Sequence, residues 1–381
     1  MLVSWLSTCC ALYNAALQHR RDAWEHEKTQ RRLAEDRGIK RERAKAISYN
    51  AQTTELTVAR AADADLAAVP IEVSRSPLRR IDRAYKAFFR RCKSGETPGH
   101  PRFRSWRRYD SFEIGRIAPC DRGDSKKKRG TRSAHVRIPN LGLVKFHEYR
   151  SLQGRVLSTT VRRTPTGKWF VCFSCDLGAA PEKKPVASAT GVDVGLAAFA
   201  TLSNGEAIDA PKFFHKSEAQ LALRQQRVSR RFRRGKKQTA SFHRARVLVA
   251  RTHEHIKNQR LDFARKLACA LFLQYDLVAY EDLNIRGMVR GNFSKSINDA
   301  AWGLFVHALT CKAESAGRWA VAVDPRGTTI RCSGCGASVP KTLSQREHLC
   351  SCGVRMGRDE NAAKNILALG RSAVSAPALA G

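Results

Sequence analysis

The spacing of apolar positions changes twice along the chain. Near the start, MLVSWLSTCCALYNAAL sets Leu6, Ala11, Leu12 and Leu17 toward one helical face. TCCALYNAALQHRRDAWEHEKTQRRLAEDR carries that spacing on with dense charge. SPLRRIDRAYKAFFRRCKSG places Leu78, Ile81, Ala84, Phe88 and Phe89 on one side and arginines and lysines on the other. Residues 1–98 are therefore predicted to be helical. From 99 to 183 the period shortens to two. SFEIGRI, HVRIPNLGLVKF and RVLSTTVRRTPTGKWFVCFSCDL read as short strands with turns at Asn-Leu-Gly and Pro-Thr-Gly. A small sheet or barrel is expected there, with DRGDSKKKRGTRS (121–133) as a polar loop able to grip a nucleic-acid backbone.

After the linker PEKKPVAS, strand and helix alternate. TGVDVGLAAFATLSNGEAI is a strand followed by a Ser203-Asn204-Gly205 turn. A long basic helical region follows and breaks at Arg234-Gly235-Lys236-Lys237, which predicts a helical hairpin. YDLVAYEDLNI is an apolar strand ending in Glu281-Asp282, AWGLFVHALTCKAESAG a helix, and WAVAVDPRGTT another strand. This alternation predicts an α/β domain over 184–325, a cysteine ribbon over 326–355 and a closing helix over 356–381.

Charge narrows the partners. The 381 residues carry a formal net charge of +35 and a pI near 10.4. So large a positive field calls for a polyanion, and nucleic acid is the first candidate. An anionic membrane fits less well, because the basic residues are spread over the whole chain and no long uncharged apolar run spans a bilayer. The N-terminal apolar stretch has neither the basic region nor the cleavage site of a signal peptide, and is read as an amphipathic helix. Arg79, Arg80, Arg83, Arg90 and Arg91, with Arg230, Arg231, Arg233 and Arg234, are the candidate nucleic-acid contacts.

Of 12 cysteines, four are grouped at 332, 335, 350 and 352 and eight are scattered. That distribution fits a reducing compartment and one metal site rather than a disulfide framework. Cys332-x2-Cys335 with Cys350-x-Cys352 suits a closed, structural tetrahedral zinc site. Gly334, Gly336 and Gly353 allow turns that aim backbone N–H groups at the sulfurs.

Three acids stand out. Asp193 lies within an apolar strand, flanked by Val192 and Val194. Glu281 ends the Leu277–Tyr280 strand, and Asp359 opens the last helix. Singly, each has a plain structural role: a turn residue, a strand-end surface acid and a helix cap. Together, two strand-borne acids and a helix-start acid can converge at one end of a sheet. Three such carboxylates can hold two divalent ions roughly 3.5–4 Å apart for phosphodiester hydrolysis. Hard oxygen ligands select Mg²⁺ or Mn²⁺. The cysteine ribbon would then fix where the Asp359 helix begins.

GVDVGLAAFATLSNG, THEHIKNQRLDFARKL, YDLVAYEDLNIRGM, VDPRGTTIRCSGCG and CSCGVRMGRDENAAKNIL, in this order, resemble the TnpB family. These are transposon-encoded OrfB-type proteins related to type V CRISPR effector nucleases. ISYNAQTTELT and LRRIDRAYKAFFRRCKSGETPGHPRF look like the family's helical recognition region, so the resemblance covers nearly the whole chain. It implies α/β, β-barrel and helical parts: a RuvC-like (RNase H-like) nuclease domain over 184–325 and 356–381 with an inserted zinc ribbon at 326–355. A helical recognition domain at 1–98 and a wedge β-barrel at 99–183 would precede it. It also implies an RNA-guided, Mg²⁺-dependent DNA endonuclease whose partners are a guide RNA and a double-stranded DNA target. Asp193, Glu281 and Asp359 fall on the family's catalytic carboxylates, and Cys332, Cys335, Cys350 and Cys352 on its zinc ligands. A cytoplasmic, nucleoid-associated location in a prokaryote is expected.

Two departures stand out. The family usually has a strand before its first helix, whereas this chain starts almost in the helix, and Gly357 occupies a position where the family often has an acid. The competing readings are a compact CRISPR effector, a cleavage-deficient RNA-guided regulator, a strand-transfer transposase and a nonspecific nucleic-acid binder. A degraded regulator would lack one or more of the acids, and all three are present. A nonspecific binder explains the charge but not the triad.

Overall fold

A computed structural model describes residues 1–42, 44–120, 132–342 and 344–375, in two compact units, Met1–Gly178 and Ala179–Gly381. Nearly all of the loop expected to grip nucleic acid at 121–133 lies outside the described residues. No described helix is long and apolar enough to cross a membrane.

The first unit opens with helix α1 (Leu2–Asp36). Its buried stripe is Trp5, Leu6, Cys9, Cys10, Tyr13, Ala16 and Leu17. Ala11 is exposed instead, because its five-residue step from Leu6 overshoots the helical face. Helix α2 (Tyr49–Ala62) starts where the Ser48 hydroxyl accepts the Ala51 N–H at 3.1 Å. Asp63 caps the short α3 (Ala64–Ala68). Helix α4 (Ile71–Lys93) contains Pro77, which leaves the Val73 carbonyl without its helical partner. The buried Cys9 thiol of α1 donates to that carbonyl at 3.4 Å, so the two helices pack where the ladder is broken.

Strands β1 (Ser111–Glu113), β4 (Arg155–Arg163) and β5 (Trp169–Asp176) form an antiparallel sheet. Strands β2 (Arg132–Ile138) and β3 (Gly142–Glu148) form a separate ribbon. The expected barrel is therefore not found among the described residues. The ribbon joins the sheet through side chains rather than edge hydrogen bonds: Val136, Ile138 and Val161 share one core, and Phe146 lies 5.7 Å from Phe173.

The second unit is built on a five-stranded sheet. Strand β6 (Ala189–Val194) is central, with β7 (Ala198–Leu202) and β8 (Ala207–Asp209) antiparallel on one side. On the other side lie β9 (Leu277–Glu281) and β10 (Trp319–Val323), both parallel to β6. Helices α5 (Phe213–Arg231) and α6 (Ala240–Gln274) form the expected hairpin, with Gly235 at φ +69° in its bend. Two short helices, α7 (Ile285–Met288) and α8 (Ser294–Ala300), precede α9 (Trp302–Ala316).

One sheet face packs on α6 and α9 through Val192, Phe199, Ala268, Leu271, Phe305 and Leu309. The other face receives α10 (Arg358–Ser375), with Ile366 against Leu277 and Ala279. Before α10 come the three-residue strands β11 (Glu347–Leu349) and β12 (Arg355–Gly357), an antiparallel pair.

Candidate metal centres

The pleat decides which residues face α10. Side chains alternate along a strand, so Val192 enters the α6–α9 core while Gly191 and Asp193 face the other way. On β9 the equivalent pair is Ala279 and Glu281. The parallel register sets Gly191 beside Ala279 and Val192 beside Tyr280, which brings Asp193 and Glu281 to the same strand ends.

Two glycines let α10 lie close. A Cβ at Gly191 would sit 2.0 Å from the Ala363 carbonyl oxygen, and one at Gly370 would sit 2.4 Å from the Ala279 Cβ. With both absent, the helix settles on the sheet and its first turn carries Asp359 to the strand-borne acids. Burial drives the Asp193 carboxyl up to about 8, and the charges of Glu281 and Asp359 push the same way. The Arg358 guanidinium opposes them. Glu281 is also raised, by burial, against the Thr328 hydroxyl that donates to its Oε1 at 2.5 Å. Arg358 Nε lies 3.1 Å from Asp359 Oδ1. All three predicted acids thus share one electrostatic neighbourhood. Such a cluster of partly buried carboxylates is unfavourable on its own and suits a hard divalent cation.

The cysteines form a second centre. The sulfurs of Cys332, Cys335, Cys350 and Cys352 all lie within 4.8 Å of one another. Cys332 to Cys352 is 3.7 Å and Cys335 to Cys350 is 3.6 Å. A tetrahedron with Zn–S bonds of about 2.3 Å has edges of about 3.8 Å, so the donor set fits zinc. The backbone N–H of Cys335 draws the Cys332 thiol down to about 7, and that of Cys352 draws Cys350 to about 6. This favours the thiolate form that ligates metal at Cys332 and Cys350, whereas Cys352, despite the Val354 N–H that lowers it, is pushed up to about 12 by its sulfur neighbours and would give up its proton only to the metal. Gly336 at φ +76° and Gly353 at φ +90° occupy the left-handed turns.

The sequence reading missed the residues that join the two centres. Asn361, fully buried, accepts the Ser333 N–H at 2.9 Å and donates to the Arg331 carbonyl at 2.7 Å. Asn365 donates to the carbonyls of Thr328 and Arg331, each at 2.7 Å. The start of the ribbon is thereby tied to the first two turns of α10. The polar positions in NAAKN were the available signal, and their spacing of four puts both amides on one helix face.

The candidate nucleic-acid arginines divide into two sets. Arg79 pairs with Glu72 at 2.9 Å and Glu113 at 3.2 Å, and Arg83 with Glu113 at 2.6 Å. Arg80 donates to the Ser111 carbonyl at 3.1 Å and lies over the Tyr109 ring, and Arg91 donates to the Gly99 carbonyl at 3.2 Å. These four brace α4 against its own unit. Arg90, Arg230, Arg231, Arg233 and Arg234 are exposed, with Arg231 bonded to Ser241 at 2.9 Å.

The profile of the OrfB_IS605 family, described as a probable transposase, matches residues 166–292. The Cas12f1-like TNB domain matches residues 302–366. A putative RNA-guided DNA endonuclease of Streptomyces pristinaespiralis is 32% identical over 378 residues, 95% of this chain and 83% of that protein. The chain belongs to the TnpB (OrfB) family. The putative RNA-guided DNA endonuclease InsQ of Escherichia coli K12 is 27% identical, over 80% of this chain and 76% of its own. Among solved structures, the Cas12f1 chain of a Cas12f1–sgRNA–target DNA complex aligns with a TM-score of 0.60 and 14% identity, over 96% of this chain and 81% of its own. That likeness is one of fold.

Proposed function

We propose that this chain is an RNA-guided DNA endonuclease of a transposable element, with Asp193, Glu281 and Asp359 as its hydrolytic centre. The observation that carries the reading is that the buried Asp193 carboxyl feels the charges of both Glu281 and Asp359, in a chain of net charge +35. The strand order, three antiparallel strands followed by two parallel ones, supports an RNase H-like (RuvC) domain for 184–325 with 356–381. Residues 326–355 act as its zinc ribbon, and 1–98 with 99–183 as the recognition and wedge regions.

In this reading Asp193 and Glu281 present oxygens from rigid strand ends, and Asp359 closes the set from the first turn of α10. Thr328 fixes one Glu281 oxygen and Arg358 one Asp359 oxygen, so neither carboxylate rotates freely. Magnesium or manganese, when bound, supplies the Lewis acidity that activates water and stabilises the leaving oxygen. The cysteine set holds zinc, and through Asn361 it holds the helix start that carries Asp359. The guide RNA reads sequence by pairing, while the protein grips backbone through its basic surface.

The test is to express the protein with its native flanking DNA and sequence the RNA that co-purifies. A defined RNA ending in sequence just outside the element supports the transposon reading. Repeat-derived RNA would replace it with a compact CRISPR effector, and random cellular RNA would overturn both.

A further inference from the structure

Helix α4 ends in an aromatic edge that contact with a nucleic-acid backbone does not use. Phe88 and Phe89 belong to the stripe predicted to pack inward, yet Phe89 is 55% exposed, and Trp24 on α1 is 54% exposed. Both line a cavity of about 620 Å³ between α1, α4 and residues 41 and 44–47. Within it Tyr85 and Phe89 are stacked at 6.2 Å, and His100 meets Phe88 edge-on at 5.0 Å. Arg20 lies over the Tyr85 ring at 5.3 Å, and Arg21, Arg41 and Lys45 add positive charge to the lining.

The cavity is built rather than incidental. Glu27, 8% exposed, accepts from Arg41 at 3.3 Å and from the Ala44 N–H at 3.2 Å, and Arg41 also reaches Gln30 at 3.2 Å. These bonds hold Arg41 and Ala44 against α1 and neutralise one of the two acids in the lining. Its size is that of a pocket for a small planar molecule. Aromatic faces with guanidinium groups beside them are the chemistry that holds unstacked bases and their phosphates. A second copy of this chain is a poor occupant, because two bodies of charge +35 repel.

We propose that this cavity binds an unstacked base of the guide RNA, between Trp24 on one side and Tyr85 and Phe89 on the other. RNA is the source chosen because its single-stranded loops and ends present splayed bases, whereas target DNA arrives stacked in a duplex. The inference rests on the chain being an RNA-bound protein. It assigns α1 and α4 a base-holding role in addition to backbone contact.

The experiment compares the full-length parent with Trp24→Ala/Phe89→Ala and with Phe89→Tyr, using labelled oligouridylate, oligothymidylate and a fully paired RNA hairpin. The double variant is expected to lose about 5- to 100-fold affinity for oligouridylate. Affinity for the hairpin and the salt dependence should stay as in the parent, and Phe89→Tyr should bind normally. In the unmodified protein, 4-thiouridine RNA should crosslink to the peptides carrying Trp24 or Phe89. Unchanged oligouridylate binding, an equal loss on the hairpin, crosslinks elsewhere, or a loss confined to oligothymidylate would each overturn the inference. A parent that binds no RNA at all would instead overturn the RNA-guided reading beneath it.

Discussion

The carboxylate cluster and the cysteine ribbon meet at the start of α10 and are built by opposite means. The cluster is positioned by a core. Leu277, Val278 and Ala279 are fully buried, α10 is seated through two glycines, and the acids ride on the ends of what is already rigid. The ribbon has almost no core of its own. Its strands β11 and β12 are three residues long, and its order comes from four converging sulfurs and two asparagine amides. A site carried by a sheet survives the loss of its metal. A ribbon of this size depends on its metal for its shape.

Removing one sulfur separates the two regions most strongly. Cys332→Ser is expected to take zinc content from about one ion per chain to near none. Hydrogen exchange should rise across 326–357 and fade beyond the first turns of α10. Elemental analysis with exchange mass spectrometry checks this, and full zinc occupancy would refute the ligand assignment.

Gly191→Ala attacks the other side of the comparison. The added methyl meets the backbone of α10, so stability should fall by about 1–3 kcal/mol with zinc content unchanged. Denaturant melting with a zinc assay checks both halves. A loss of zinc would show that the ribbon depends on the sheet rather than on its own sulfurs.

Thr328→Val removes the hydroxyl that fixes Glu281 while keeping the shape. Outer-shell losses of this kind lower metal affinity or activity by about 10- to 100-fold. A manganese titration read by paramagnetic relaxation checks the affinity, and unaltered binding would leave Thr328 a purely structural role.

A separate effect is one of pH. The Asp193 carboxyl stands at about 8 in the metal-free fold, against an ordinary 3.8. The folded chain therefore holds a proton that the unfolded chain has released, and metal-free stability falls as pH rises from about 4 to about 8. Asp193→Asn should flatten that slope, and melting curves across this range check it.

Much of this organisation was legible beforehand, for identifiable reasons. Asp193 within an apolar strand and Glu281 at a strand end broke the local hydrophobic pattern, and their burial follows from the strands around them. The paired cysteines were legible because metal-ligand spacing is local. The barrel was not found among the described residues, because whether two sheets share an edge or only a core depends on pairings far apart in sequence. The partners of Arg79, Arg80 and Arg83 were not legible, because nothing local places Glu113 and Ser111 beside them. Asn361 and Asn365 carried a helical spacing but no hint of the carbonyls they reach. Phe88 and Phe89 were assigned to a packed face, although the wall opposite them is a cavity.

The most direct test is cleavage of a matched DNA duplex by the purified protein carrying its co-purified RNA, with and without Asp193→Ala, in magnesium. The parent should cut and the variant should not, while both retain the same RNA and bind the same target. Equal cutting by the two would contradict the assignment of the hydrolytic centre to the acids at the sheet's end.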